Sequence, residues 1–218
     1  MKQFFFFTLL LMVRYSTAQN IPIPKEYEII EKVSGDLDKD SIAELVVILN
    51  TDKSDEFSGQ FREIQIFKLI NKEWVLWKKS GDAIMQSTDG GMMGDPYVGT
   101  EIKNGILLIS HYGGSSWKWG NTDKYRFQNN EFVLIGHSCN SGRLCEHFEY
   151  FDFNLSTGKI EYKKEYERCD QTPEGEEQIF YHTDTETFIK KGIHINLSNR
   201  HSKKIEITCP KHDAHFTL

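Results

Sequence analysis

The chain has 218 residues, of which 13% are aromatic, and its 32 acidic and 26 basic side chains give a formal net charge of −6. This acidic balance argues against nucleic acid and against an anionic membrane surface as the natural partner, because both require a basic surface. The sequence divides into an N-terminal segment, residues 1–18, and a remainder, residues 19–218, that we expect to form a single β-rich domain.

Residues 1–18 have the parts of a secretory signal peptide. The basic Lys2 precedes an apolar run at 4–13, and the small residues Ser16-Thr17-Ala18 end the segment. The apolar run is too short for a comfortable membrane span, and no other stretch of the sequence approaches that length. We therefore expect an exported protein, periplasmic or extracellular, that keeps no membrane span.

An acidic loop follows the first predicted strand, 27–33, and leads directly into the apolar segment 44–50. Its carboxylates lie at relative positions one, three, five and nine: Asp36, Asp38, Asp40 and Glu44. A tight loop would converge these hard oxygen ligands on one point, which suits Ca²⁺. The alternative is a solvated turn in which the aspartates accept hydrogen bonds from their own backbone.

The stretch 35–49, GDLDKDSIAELVVIL, resembles the calcium loop of the FG-GAP or integrin-type (VCBS-like) propeller repeats. That loop reads D-x-D-x-D-G-x-x-D and is followed by an apolar strand. The resemblance implies a Ca²⁺ site at the joint between two strands of a blade. It assigns side-chain ligation to Asp36, Asp38, Asp40 and Glu44, and backbone ligation to the carbonyl of Ile42. Ser41 stands where the family has glycine, and Glu44 stands where it has aspartate.

Short predicted strands separated by turn signals continue to the end of the chain. They cover 27–33, 44–50, 62–70, 73–80, 97–102, 106–112, 123–128, 131–137, 147–155, 159–167, 178–183, 187–191, 193–198, 203–209 and 215–218. The continuous apolar run 45–49 predicts a strand covered on both faces. Because no long helical pattern occurs, we predict an all-β fold, an antiparallel meander of short strands arranged as β-propeller-like blades or, alternatively, as a β-sandwich.

Four cysteines and predicted export favour two disulfides. Three pairings are possible. We favour Cys139 with Cys145, which would close a short loop, and Cys169 with Cys209, which would tie the C-terminal strands together. A zinc site is the competing interpretation, but none of the four cysteines falls into a CxxC pair.

The stretch 111–121, HYGGSSWKWGN, concentrates aromatic side chains around two glycines. We interpret it as a binding patch, since aromatic and arginine side chains supply most of the energy in desolvated contacts. The candidate binding residues are His111, Tyr112, Trp117, Trp119 and Arg126. The alternative is that Trp117 and Trp119, two residues apart, point to the same side of a strand and belong to the core.

Two classes of function remain open from the sequence. Ser115, Ser116, His111 and Asp123 supply the residue types of a serine hydrolase, but the chain has no GxSxG elbow. We therefore predict a noncatalytic, exported, calcium-stabilised protein that binds a protein or glycan at the cell envelope. A secreted hydrolase of unrecognised type is the alternative. Segments such as 90–97, 110–136 and 154–159 resemble uncharacterised exported bacterial proteins, and this resemblance implies no activity.

Overall fold

The computed structural model describes residues 20–172 and 175–218, so the predicted signal peptide lies outside the described residues. These residues form thirteen strands and a short 3-10 helix, Gly91–Met93. The strands are β1 (Glu28–Gly35), β2 (Glu44–Asp55), β3 (Gly59–Ile70), β4 (Glu73–Ser80), β5 (Tyr97–Lys103), β6 (Ile106–Gly114), β7 (Lys118–Gln128), β8 (Glu131–Arg143), β9 (His147–Asn154), β10 (Lys159–Thr172), β11 (Gly175–Ile189), β12 (Glu206–Thr208) and β13 (His215–Thr217). Among the described residues, no helix is long and apolar enough to cross a membrane.

The strands form antiparallel meanders. One sheet has four strands in the order β1-β2-β3-β4, and a second has seven in the order β11-β10-β9-β8-β7-β6-β5. The short strands β12 and β13 pair with each other. Because strands that neighbour each other in sequence also pair in space, the predicted all-β antiparallel meander is confirmed.

The hairpin turns have the backbone conformation that their residues favour. Both central residues have positive φ in three of them: 51° and 68° at Asn71-Lys72, 55° and 73° at Asn104-Gly105, and 51° and 63° at Asn129-Asn130. Asparagine and glycine tolerate this left-handed region, which matches the twist of the flanking strands. These turns therefore fix the hairpins β3–β4, β5–β6 and β7–β8.

The last third of the chain differs from its predicted strands. The ranges 178–183 and 187–189 belong to one strand, β11, because β10 pairs with it from Lys159 to Thr172 with one register shift between Tyr166 and Glu167. The range 193–198 forms no strand. Instead, the backbone N–H of Leu134 donates to the carbonyl of Ile195 at 2.9 Å, which anchors this segment against β8.

One apolar core joins both large sheets and the C-terminal segment. It contains buried residues of β2, β3, β6, β8, β9 and β10, among them Ile48, Ile66, Leu107, Phe132 and Phe153. We call the face of the seven-stranded sheet that meets this core its inner face, and the opposite one its outer face. Because side chains alternate along a strand, every second residue of β6 to β10 is left to the outer face.

A second apolar cluster covers the other side of the first sheet. Leu45, Val47 and Leu49 of β2 pack there with the N-terminal residues Ile21 and Ile23. Strand β2 is therefore covered on both faces, as its continuous apolar run predicts.

The predicted cysteine pairing is wrong. Cys145 and Cys169 form a disulfide, with their Cα atoms 5.0 Å apart, and Cys139 and Cys209 are free thiols. The reason is that β10 extends past the start of β9, and the backbone N–H of Glu167 donates to the carbonyl of Glu146 at 2.9 Å. This contact holds the turn that contains Cys145 beside Cys169, which a loop-length argument does not reveal.

Candidate functional site

The outer face of the seven-stranded sheet brings residues of five strands together. Cross-strand pairing aligns Tyr112 of β6, Gly120 of β7, Asn140 of β8 and Tyr150 of β9 in one row. The adjacent outer-face row contains the following side chains: Ser110, Thr122, Ser138, Asp152 and Glu161. Two aromatic side chains thus stand beside a band of hydroxyl and amide groups.

These rows line an open groove of about 730 Å³. Tyr112 and Tyr150 are 39% and 37% exposed, so part of each ring is open to solvent, and the Lys163 ammonium group lies over the Tyr150 ring, 5.5 Å from its centroid. Gly120 lies between them, and a Cβ atom added there would lie 3.4 Å from Tyr112 Cδ2 and 3.1 Å from Asn140 Oδ1. The glycine therefore allows the Tyr112 ring to lean over the floor of the groove.

The floor of the groove contains a row of polar side chains within a largely apolar lining. Ser110 Oγ and Thr122 Oγ1 are 2.9 Å apart, and Ser138 Oγ donates to Asp152 Oδ2 at 3.3 Å. No hydrogen bond or ion pair to the Asn140 amide is present within the described residues, so that amide remains available to a ligand. A floor of hydroxyl and amide groups between two aromatic rings provides both directional polar contacts and stacking surfaces.

Two smaller depressions continue this groove on the same face. One, of about 370 Å³, shares Val98, Ser110 and Thr122 with it and is also lined by Glu31 and Glu101. The other, of about 230 Å³, shares Asp152 and is lined by Lys124 and Arg126. The outer face is therefore acidic at the β5 side and basic where β7 reaches Arg126.

The inner face holds a buried ionic cluster. Asp123 Oδ1 lies 2.6 Å from His137 Nδ1, and Arg200 Nε donates to Asp123 Oδ2 at 2.6 Å. Burial opposes ionisation of Asp123, but Arg200 and His137 outweigh it and hold the pKa of this carboxyl below its usual value. All three side chains are at least 96% buried, so the cluster connects the C-terminal segment to the sheet.

The predicted binding residues do not form one surface. Tyr112 and Arg126 line the outer face. His111 is only 2% exposed, and its Nε2 accepts a hydrogen bond from the Met85 N–H at 3.2 Å. Trp119 lines a separate cavity of about 570 Å³ beneath the sheet, beside the C-terminal segment.

The remaining tryptophan lies apart from the groove. Trp117 is 40% exposed and packs edge-on against His147, with 5.0 Å between ring centroids. The glycines of this stretch have a packing role, since a Cβ atom on Gly113 would lie 2.5 Å from Trp119. Trp117 precedes β7 and is 40% exposed, so only Trp119 lies on β7, and the alternative in which both tryptophans belong to the core does not hold for Trp117.

The residues proposed for a serine hydrolase also separate. The N–H of Ser115 donates to the carbonyl of Trp117 within a turn. Asp123 is bound to His137 and Arg200, and His111 is bound to the Met85 backbone. Burial lowers the pKa of His111 to about 4. Among the described residues, these groups form no nucleophile–base–acid series.

The acidic loop gathers the predicted calcium ligands. One oxygen from each of Asp36, Asp38 and Asp40 lies within 4.8 Å of the others. Several oxygens already accept backbone hydrogen bonds: Asp36 from Lys39 at 2.7 Å and Ser41 at 3.0 Å, and Asp40 from Ile42 at 2.8 Å. Ser41 has a φ of 71°, a left-handed conformation that glycine adopts easily. The FG-GAP calcium loop, which this stretch resembles, has glycine at this position.

The Lys68 ammonium group lies at the mouth of this loop. It pairs with Asp38, and it lies 3.6 Å from Asp40 Oδ2 and 3.8 Å from Glu44 Oε1. Partial burial opposes the charge of Lys68, but the three carboxylates outweigh it and raise its pKa. Burial likewise raises the pKa of Glu44, whose Oε2 accepts from the Leu37 N–H at 2.7 Å. The carboxylates fit a cation, and Lys68 competes for the same oxygens.

Comparison with known protein families, curated proteins and solved structures finds no match for this chain. Its function must therefore be argued from the site.

Several residues of the groove are not among the binding residues predicted from the sequence. The sequence contains a pattern that indicates Tyr150. Alternation along 147–155 places its side chain on the face opposite the buried Phe151 and Phe153, which is exposed to solvent. No such pattern indicates Gly120 or Asn140, since their role depends on cross-strand register. None indicates Lys68 either, because it is 30 residues from Asp38 in sequence.

Proposed function

We propose that this chain is a noncatalytic, exported binding protein whose ligand is a glycan held in the outer-face groove. The observation that carries the proposal is the pair of half-exposed rings, Tyr112 and Tyr150, on either side of a polar floor around Gly120. A sugar ring has an apolar face edged by hydroxyl groups. Aromatic rings with a polar handle and side-chain hydroxyls and amides complement those two parts.

The shape of the groove favours a glycan over a protein as the partner. Protein interfaces centre on large apolar anchors that fit deep desolvated pockets. Here the two tyrosines flank a floor that contains small polar residues such as Thr122 and Ser138, beside the apolar side chain of Val98. A narrow concave strip of this kind suits a slender, hydroxyl-rich chain.

Binding is also favoured over hydrolysis. The carboxylates that face the groove, Asp152 and Glu161, lie opposite each other on β9 and β10. The Glu161 side chain is 58% exposed and pairs with Lys159 at 2.5 Å. A general acid is usually held in a buried position, and the Glu161 side chain is mostly exposed.

Export enters the proposal through the N-terminal segment and the disulfide. The sequence of residues 1–18 has the parts of a signal peptide, and Cys145–Cys169 suits an oxidising compartment. We place the protein at the cell envelope or outside the cell. N-terminal sequencing of protein recovered from outside the cytoplasm tests this, and a chain that still begins at Met1 would contradict it.

Calcium binding is the second part of the proposal. Asp36, Asp38 and Asp40 supply the oxygen ligands, and the ion competes with Lys68 for them. Because only the folded chain assembles these carboxylates, Ca²⁺ should raise the melting temperature relative to chelator. An unchanged melting temperature, together with no heat on Ca²⁺ titration, would contradict a calcium site.

The test of glycan binding uses tyrosine variants on a glycan array. Tyr112→Ala and Tyr150→Ala should each reduce retention of the captured glycan, and the double variant should abolish it. Tyr181→Ala is the matched control, because Tyr181 is 59% exposed on β11, away from the groove. These exposed tyrosines contribute little to the core, so the melting temperature should change little. Equal retention by all variants, or capture of no glycan by the wild-type protein, would refute the proposal.

A further inference from the structure

The outer-face groove continues along β7 beyond the two tyrosines. Gly120, Thr122, Lys124 and Arg126 line it in that order, the first two in the central groove and the last two in the adjoining depression. At about 3.4 Å per residue, the distance from Gly120 to Arg126 is roughly 20 Å. This length exceeds what one sugar ring occupies and suits an oligosaccharide.

Arg126 is an unpaired cation at the end of this path. No hydrogen bond or ion pair to its guanidinium is present within the described residues, although many charged side chains of the chain do form ion pairs, for example Arg143 with Glu146 at 2.9 Å. Arg126 is only partly exposed and lines the depression beside Lys124. A half-buried, unpaired guanidinium group loses hydration without regaining a partner, and a carboxylate is the group that its planar donors fit best.

The charges along the outer face are unequal. The depression at the β5 side is lined by Glu31 and Glu101, and the central groove by Asp152, Glu161 and Lys163. At the Arg126 end, two basic side chains face a single carboxylate, Asp152. A polyanion lying across the outer face would be repelled by the carboxylates of the β5 side and of the central groove. A mostly neutral chain with one acidic group would meet attraction at one end only.

We propose that the ligand is an extended, largely neutral oligosaccharide that carries a single carboxylate, which binds Arg126, while neutral sugar rings contact Tyr112 and Tyr150. This inference rests on the proposed glycan-binding function and specifies the ligand class. The charge gradient also fixes the direction of the chain, with its acidic sugar at the Arg126 end.

The experiment compares matched ligands and variants by calorimetric titration. The probes are xylo-oligosaccharides that carry one glucuronic acid, the methyl esters of the same compounds, and unbranched xylo-oligosaccharides of equal length. The acidic compound should bind wild-type protein about tenfold or more tightly than its methyl ester, as for one charge-assisted contact. Arg126→Met should remove this preference, and Arg126→Lys should restore part of it.

Arg143→Met is the control variant, because it makes the same change at an arginine that pairs with Glu146 at 2.9 Å and lines neither the groove nor the Arg126 depression. It should leave the preference unchanged. Equal binding of acid and ester by wild-type protein would overturn the inference, as would an acid preference that survives in Arg126→Met. Suppose that one of these results is obtained, that the neutral compounds still bind, and that Tyr112→Ala weakens their binding. The proposed glycan-binding function then stands without this inference. If no oligosaccharide binds, both fail.

Discussion

Replacing the buried His111 should remove part of the acid sensitivity of this fold. Burial lowers the pKa of His111 from 6.5 to about 4, since a charged imidazole beneath the sheet loses its hydration. The unfolded chain therefore takes up a proton at higher pH than the folded chain. The consequence is that stability is lost as pH falls from 6.5 towards about 4, and the loss from this group ends below that range.

The magnitude follows from these two pKa values. Between about pH 7 and about pH 5, His111 alone should cost roughly 2 kcal/mol of unfolding free energy. His111→Gln keeps an acceptor for the Met85 N–H and does not titrate, so the variant should lose correspondingly less stability over this interval. Burial also lowers the pKa of the partly buried His201, which leaves a residual loss of the same sign.

The assay is urea unfolding of both proteins at several pH values across this interval. His194→Gln serves as the control for replacing a histidine outside the core, because the His194 side chain is 59% exposed. If His111→Gln loses as much unfolding free energy as the wild-type protein on acidification, burial of an uncharged His111 is refuted.

Three further outcomes follow from the structure. Thiol titration of the denatured, unreduced protein should find two reactive groups, Cys139 and Cys209, and a count of zero or four would contradict the single disulfide. Ser41→Gly should stabilise the fold by about 1 kcal/mol, because Ser41 has a φ of 71°, whereas Ser41→Ala should not stabilise it. Lys68→Met should tighten Ca²⁺ binding measured by calorimetry, because it removes the competing ammonium group, and weaker binding would contradict that competition.

The sequence predicts the local parts of this fold well. Turns such as Asn104-Gly105 and Asn129-Asn130 depend on residues that tolerate positive φ, and the structure has them where expected. The double coverage of β2 follows from its apolar run. These features depend on a few neighbouring residues, so short patterns contain enough information to predict them.

The candidate site depends on contacts between distant parts of the chain. Tyr112 and Tyr150 meet the same groove only because β6 to β9 pair in a particular register. Arg200 reaches Asp123 from 77 residues away and builds the ionic cluster beneath the sheet. No local pattern encodes such a distance, and for the same reason the cysteine pairing was predicted wrongly.

The most direct measurement of the central claim is NMR mapping of the glycan-binding surface. A bound oligosaccharide identified on the array is titrated into labelled protein while backbone amide shifts are followed. The amide resonances of Gly120 and Asn140, on the groove floor, should shift, and the amide resonance of Asp36, in the acidic loop, should not. Shifts confined to residues outside the outer face, with Gly120 and Asn140 unmoved, would contradict glycan binding in this groove.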